Sequence, residues 1–354
     1  MRVALHTGQL DQPVPGGIGR YVEGLLHHLP EAGVEVAAFS GRRWHYAAWH
    51  RLRRPGVPAG AGAGADVVHA PSLAIPPPGR RPLVVTVHDL AFRSHPDCFP
   101  PRGRAFHERG LALARSEAAA VVVPSRFTAG ELADAGFDPA RIHVVPHGID
   151  RPPEPHPGPG PGRDVVPPGP YLLAVGTREP RKGLGLLLAA HAALRATRPE
   201  LALVVAGPPG WGPPVNLDRP GVSVPGRVSE AELDTLYRGA AALALPSRTE
   251  GFGLPALEAM ARGCPVVASA AGALPEVVGD AGLLVPAGDA DALAGALDRL
   301  LDDEDERRRR AEAGRRRAAG FPWAACVEGH LAAYRAARAA GTPPRSGGVA
   351  GVPS

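Results

Sequence analysis

Short, almost continuous apolar runs recur along this chain, separated by stretches with helical spacing. In the first half they are Val3–His6, Val34–Phe39, Asp66–His69, Leu83–His88, Ala119–Val123 and Ile142–Val145. Lacking the inside–outside alternation of a sheet with one wet face, they predict parallel strands buried on both faces. A second series follows: Tyr171–Val175, Leu201–Ala206, Val222–Val224, Ala241–Leu245, Pro265–Ala268 and Leu283–Val285. Between the series, 13 of the 19 residues from Pro152 to Pro170 are proline or glycine, which supports neither helix nor central strand. The expected class is α/β, with two Rossmann-like doubly wound domains facing a cleft. They cover 1–150 and 171–320, joined by a linker over 151–170. Asp302 to Arg317 is densely charged and helical, and Phe321-Pro322-Trp323 opens a last amphipathic helix to about Arg338. The Gly/Pro/Ser-rich tail over 341–354 reads as disordered.

Length agrees with this division, since 354 residues exceed what one hydrophobic core usually serves. The N-terminus enters a strand directly, and no apolar run reaches the length of a spanning helix. Cys98, Cys264 and Cys326 are widely spaced and odd in number, which indicates neither a disulfide framework nor a zinc site. A cytoplasmic location fits. The net charge of +4 does not single out nucleic acid as a partner. Lys182 is the only lysine beside 38 arginines, and an ammonium and a guanidinium are not equivalent at a phosphate.

Candidate chemistry follows directly on the predicted strands, where open α/β sheets bind ligands. After the first strand, Pro15-Gly16-Gly17-Ile18-Gly19-Arg20-Tyr21 opens a helix over Tyr21–Leu29. Glycines there let a backbone approach an anion or sugar, though a tight turn alone uses the same residues. The Gly-Gly-x-Gly spacing and the absence of an acid after Ala37-Ala38-Phe39 argue against a dinucleotide site. Thr86-Val87-His88-Asp89 places His88 at a strand end, as a cleft residue or as a structural histidine. Gly176-Thr177-Arg178-Glu179-Pro180-Arg181-Lys182-Gly183 puts two cations at a helix mouth, which suits a diphosphate or a solvated turn. In Ser247-Arg248-Thr249-Glu250-Gly251-Phe252-Gly253-Leu254-Pro255-Ala256-Leu257-Glu258, a helix starts after a glycine-bearing loop flanked by two glutamates. One carboxylate can bond sugar hydroxyls and the other ribose hydroxyls; a structural network would use the same groups.

Glu250 to Glu258 form an E-x7-E pattern. Together with Glu-Pro-Arg-Lys-Gly at 179–183, the glycine loop, Thr-x-His-Asp, Val123-Pro124-Ser125-Arg126-Phe127-Thr128 and Val145-Pro146-His147-Gly148-Ile149-Asp150, it makes the chain resemble family 4 glycosyltransferases of the GT-B fold. The resemblance runs to about residue 338. It implies a retaining, metal-independent transferase with a nucleotide-sugar donor, GDP-mannose or a UDP-sugar, and no separate cofactor. It implies that Glu250 contacts the donor sugar, Glu258 holds the ribose, Arg181 and Lys182 clamp the diphosphate, and His88 faces the sugar. Gly16, Gly17, Thr177, Gly226, Gly251, Phe252, Gly253 and Leu254 complete the implied donor site. The last helix, about 321–338, would cross back to the first domain. Two positions depart from many relatives, Thr177 where an arginine is common and His147 where an asparagine is. Asp289-Ala290-Asp291 reads as a helix cap and Asp303-Glu304-Asp305 as part of a charged helix, so neither is expected to bind metal. A GT-B sugar-nucleotide epimerase or hydrolase, or a non-catalytic nucleotide- or carbohydrate-binding module, remain as alternatives.

The acceptor is expected to be a glycan, a lipid-linked molecule or a small molecule. Residues 41–56 carry five arginines, two tryptophans, a tyrosine and two histidines. At helical spacing Trp44, Ala48, Leu52, His45 and Trp49 share one arc, with the arginines outside it. Such a helix can lie on an anionic membrane or grip a lipid-linked acceptor. The alternative is a surface helix that packs Trp44 and Leu52 on its own domain.

Overall fold

The computed structural model describes residues 1–41, 43–153, 163–213 and 215–341. Much of the expected linker and the tail from 342 on therefore lie outside the described residues. The chain forms two compact units. The first holds Met1–Leu90, Pro101–Pro146 and the chain from Ala324 on; the second holds Ala91–Pro100 and His147–Trp323.

In the first unit, β1 (Arg2–His6), β2 (Glu35–Phe39), β3 (Val67–Ala70), β4 (Leu83–Thr86), β5 (Ala118–Val123) and β6 (Ile142–Val144) make one sheet in the order β2-β1-β3-β4-β5-β6. In the second, β7 (Tyr171–Val175), β8 (Ala202–Ala206), β9 (Val222–Gly226), β10 (Ala242–Leu245), β11 (Val266–Ser269) and β12 (Leu283–Val285) run β12-β11-β10-β7-β8-β9. All pairings are parallel. The apolar runs lie where they were expected, within two residues at each end.

Two cores explain why these runs do not alternate. Along the second sheet Leu173, Leu243, Leu245, Val266 and Ala268 pack in one core with Leu236, Tyr237 and Leu257. The intervening Leu172, Ala174, Ala244 and Val267 pack in another with Leu187, Leu194, Leu293 and Leu297. Both faces of the inner strands β7, β8, β10 and β11 are dry, so both parities of residue are apolar there, whereas the edge strands β9 and β12 expose Ser223 and Leu284.

Helix starts follow local chemistry. Ser125 caps Arg126–Asp134 through the Thr128 amide, 3.1 Å away. Ser229 and Glu232 form a reciprocal capping box on Glu230–Gly239. Two boundaries differ from the sequence expectation. The helix after β1 spans Gly16–Glu31, a turn earlier than Tyr21, because Pro15 sets the φ of its entry and Gly16 takes φ +62°. Asp303 ends Ala290–Asp302 and caps Glu304–Ala318, so the second acidic cluster begins a helix and does not lie inside one. Its side chain accepts from the Glu306 amide at 2.8 Å, an alternative to continuing the first helix.

Candidate functional site

In the second sheet, chain order reverses between β7 and β10, the place where doubly wound sheets leave a crevice at their carboxyl ends. The turn Gly176–Gly183 leaves β7 there, and the turn from Pro246 leaves β10. Gly183 joins them. It has φ +67°, and a Cβ on it would stand 2.1 Å from the Pro246 carbonyl oxygen, so only glycine allows this approach. The Arg248 amide donates to the Arg181 carbonyl at 2.8 Å.

This docking brings Arg181, Lys182 and Glu250 together. Lys182 Nζ donates to Glu250 Oε1 at 2.7 Å and Arg181 donates to Oε2 at 2.9 Å. The Ser247 hydroxyl donates to Oε1 at 2.7 Å. Arg181 also pairs with buried Glu179 at 2.9 Å. Burial alone would raise the Glu250 pKa, but the charges of Lys182 and Arg181 and the bonds from Lys182 and Ser247 outweigh it and hold the group at about 2. A small pocket beside the cluster is lined by Gly176, Thr177, Lys182, Leu184 and Ser247.

Glu250 is braced from behind by Gly272, at φ +59°, where a Cβ would lie 2.3 Å from the Glu250 carbonyl oxygen. Gly251 is buried and Phe252 packs into the core, edge-on to His147 at 5.0 Å. Phe252 therefore brings backbone, not ring, to the loop. Gly253 in the left-handed region caps Leu254–Ala261, with Pro255 in its first turn. Glu258, one turn in, is buried and accepts from the Tyr237 hydroxyl at 2.8 Å. Gly226 ends β9 at φ +76°, with no atom within 4 Å of where a Cβ would stand. The segment Ala91–Pro100 also belongs to this unit. Asp97 pairs with Arg248, and the Trp211 indole donates to the Cys98 carbonyl at 2.7 Å.

In the first unit Gly16 and Gly17 form the exposed first turn of their helix, with no side chain capping its amides. His88 follows β4, partly buried, its Nε2 2.8 Å from the Pro71 carbonyl and its ring edge-on to Tyr21 at 5.1 Å. Burial lowers its pKa. Behind it lies a buried hydrogen-bond chain whose direction is fixed by its end. The Cys326 carbonyl can only accept, so His330 Nδ1 donates to it at 2.7 Å and its Nε2 is bare. Tyr21 then donates to His330 Nε2 at 2.6 Å and accepts from Thr86 at 2.8 Å. Thr86 accepts from His69 Nε2 at 2.9 Å, and Tyr334 donates to His69 Nδ1 at 2.9 Å. Burial holds His330 neutral, at about 4, and puts His69 well below its usual value.

The helix in 41–56 spans Arg43–Leu52 but packs by a different face from either expected one. Trp49 is buried, while Trp44 and Leu52 are 59% and 70% exposed. Polar partners choose the face. Tyr46 donates to the Gly8 carbonyl at 3.1 Å, His50 Nε2 lies 2.9 Å from the Leu73 carbonyl, and Arg53 just beyond the helix pairs with Glu117. The apolar arc is thus split: Trp49 turns inward, and Trp44 and Leu52 do not pack on the domain.

Asp289, like Asp303, serves as a helix cap, accepting from the Ala292 amide at 2.8 Å. Among the described residues, the group of potential metal ligands is His27, His28 and Glu31, on the first unit's opening helix. Sequence reasoning missed Glu179 and Ser247 as members of the cluster and Tyr237 beside Glu258. A signal for Ser247 was available: it stands three residues before Glu250 in the same turn. Tyr237 had none, because nothing in a helical Leu-Tyr-Arg distinguishes a partner from core.

The sequence matches two families, "Glycosyltransferase Family 4" over 43–152 and "Glycosyl transferases group 1" over 166–317. It is 31% identical to O-antigen chain mannosyltransferase B of Escherichia coli, over 76% of this chain and 74% of that protein. It is 33% identical to D-inositol 3-phosphate glycosyltransferase of Frankia alni, over 94% of this chain and 98% of that protein. Among solved structures, sucrose-phosphate synthase of Thermosynechococcus elongatus matches with TM-score 0.72 at 22% identity, over 95% of this chain and 98% of that one. Anabaena HepE, solved with UDP-glucose, matches with TM-score 0.69 at 18% identity, over 94% and 99%.

Proposed function

Since the chain belongs to the family 4 glycosyltransferases and has the GT-B fold, we propose that it is a retaining, metal-independent hexosyltransferase using a nucleoside-diphosphate sugar. The observation that carries this reading is the convergence of Arg181, Lys182 and Ser247 on Glu250 at the β7/β10 crevice. Two fixed cations can neutralise a departing diphosphate, each charge-assisted bond contributing about 1.5–3 kcal/mol. Glu250, ionised at any working pH, sits where it can bond sugar hydroxyls and stabilise positive charge developing at the anomeric carbon. Because its two oxygens are tied to Arg181 and Lys182, the cations assigned here to the diphosphate, Glu250 in this reading acts beside the leaving group and not as a nucleophile beneath the ring. The acceptor hydroxyl then attacks from the face the diphosphate leaves. Glu258 holds the ribose, with Thr177, Gly226 and the Gly251–Leu254 backbone lining the donor site. For Gly16 and Gly17 the reading keeps the donor-binding role, and for His88 the catalytic role, that the family resemblance implies.

A mannosyltransferase relative favours GDP-mannose, and a UDP-glucose complex of a fold neighbour keeps a UDP-sugar open. Among the described residues no helix is long and apolar enough to cross a membrane. Exposed Trp44 and Leu52 support a lipid-linked acceptor approached by peripheral contact, from the cytoplasmic side. The test is incubation with radiolabelled GDP-mannose and UDP-glucose, with and without acceptor, in excess EDTA. Label passing to the acceptor with retained configuration is expected. Free or epimerised sugar without acceptor would favour the hydrolase or epimerase reading. Activity lost in EDTA and restored by Mg²⁺ would refute metal independence.

A further inference from the structure

Glu258 is held by a different kind of partner from Glu250. Its Oε2 accepts from the Tyr237 hydroxyl at 2.8 Å, and Tyr237 is fully buried on the helix Glu230–Gly239. The tyrosine is itself fixed from both sides. Its ring packs in the core with Leu236 and Leu257, and the Arg262 guanidinium lies over it at 5.4 Å from the centroid. Arg262 in turn donates to Asp234 at 2.7 Å and to the Glu258 carbonyl at 3.1 Å, and Asp234 also accepts from Arg238 at 2.6 Å. The hydroxyl therefore meets the carboxylate from a rigid platform built on the neighbouring helix.

A carboxylate that bonds both vicinal hydroxyls of a ribose must present its plane within about 10–20° of the productive angle. A glutamate has three rotatable side-chain bonds, and burial alone does not choose among the rotamers. A hydrogen bond to one oxygen does. It leaves acceptor capacity, because each carboxylate oxygen has two lone-pair sites.

We propose that Tyr237 is a positioning residue that orients Glu258 toward the donor's ribose and so sets discrimination between ribo- and 2′-deoxyribonucleoside diphosphates. This rests on the reading that Glu258 binds the ribose. The effect of Tyr237 is on the ratio of two affinities, which a general loss of packing would not change.

Calorimetric binding of GDP, UDP and their 2′-deoxy forms to the full chain tests it, with a thermal melt of each variant. The unmodified protein prefers the ribo form by about tenfold or more, the value of a hydrogen bond to a charged group. Glu258→Ala brings the ratio close to one. Tyr237→Phe keeps the ring, the core packing and the guanidinium contact, and lowers the ratio by about three- to tenfold through the ribo form alone. Arg262→Gln, which removes the clamp from outside the core, is the second variant and moves the ratio in the same direction. If Glu258→Ala collapses the ratio while Tyr237→Phe and Arg262→Gln preserve it, the positioning role is refuted and the ribose reading stands. If Glu258→Ala leaves the ratio intact, the ribose reading fails and Tyr237's role with it.

Discussion

Acidification should weaken the first unit through the buried chain Tyr334–His69–Thr86–Tyr21–His330, and the size of the effect can be worked from one ring. His330 has an ordinary value of 6.5 when unfolded and about 4 in place, because burial penalises the charged form. Between those values the unfolded chain binds a proton that the folded site refuses. Stability is therefore full above pH 6.5 and falls as pH drops through that window. At 1.36 kcal/mol per unit, the loss from this ring alone is about 2 kcal/mol at pH 5 and about 3 kcal/mol by pH 4. His69 acts in the same direction. Buried His6 and partly buried His50 sit at about 4 as well, so the contribution must be isolated by substitution. His330→Leu removes the ring and leaves the Tyr21 hydroxyl without its acceptor, destabilising by about 1–3 kcal/mol at pH 7.5. In urea denaturation that gap should shrink by about 2 kcal/mol at pH 5, because the variant no longer loses what the histidine loses. Ring-proton NMR reads the same group directly. A gap equal at both pH values, or a His330 signal titrating near 6.5, would refute the assignment of a neutral, directional chain.

Lys182→Ala should reduce transfer by about 10²–10³-fold, the range of a lost oxyanion donor, and near-normal turnover at saturating donor would remove it from the mechanism. Glu250→Gln should bind the free nucleoside diphosphate several-fold more tightly, because Arg181 and Lys182 lose a competing anion, while turnover falls; weaker diphosphate binding would contradict this. Co-sedimentation with anionic vesicles should fall with salt and with Trp44→Ser, whose side chain is exposed, and further with Arg51→Glu/Arg54→Glu; no binding at low salt would favour a soluble acceptor.

The strands, their parallel character and the loops that carry chemistry could be read from sequence because their causes are local. A run such as Leu172-Leu173-Ala174-Val175 is apolar at both parities only if both faces are covered. Turns such as Glu179–Gly183 and Glu250–Gly253 carry their glycines where the chain leaves a strand. Strand order is different in kind. Lys182 meets Glu250 across 68 residues because β7 lies beside β10, and no periodicity records that adjacency. The Tyr21–His330 bond spans 309 residues and depends on a helix from the chain's other end.

The helix Arg43–Leu52 marks the boundary between the two kinds of information. Its sequence determines that it is helical and that Trp44, Ala48, Leu52 and Trp49 lie on one side of it. Which part of that side turns inward is decided by tertiary structure. The buried carbonyls of Gly8 and Leu73 need donors, and with Trp49 inward Tyr46 and His50 reach them while Arg53 meets the half-buried carboxylate of Glu117. That rotation buries the Trp49 ring with its indole Nε1 unpaired, a cost that the ring's burial and the three polar contacts together offset, and it leaves Trp44 and Leu52 in solvent.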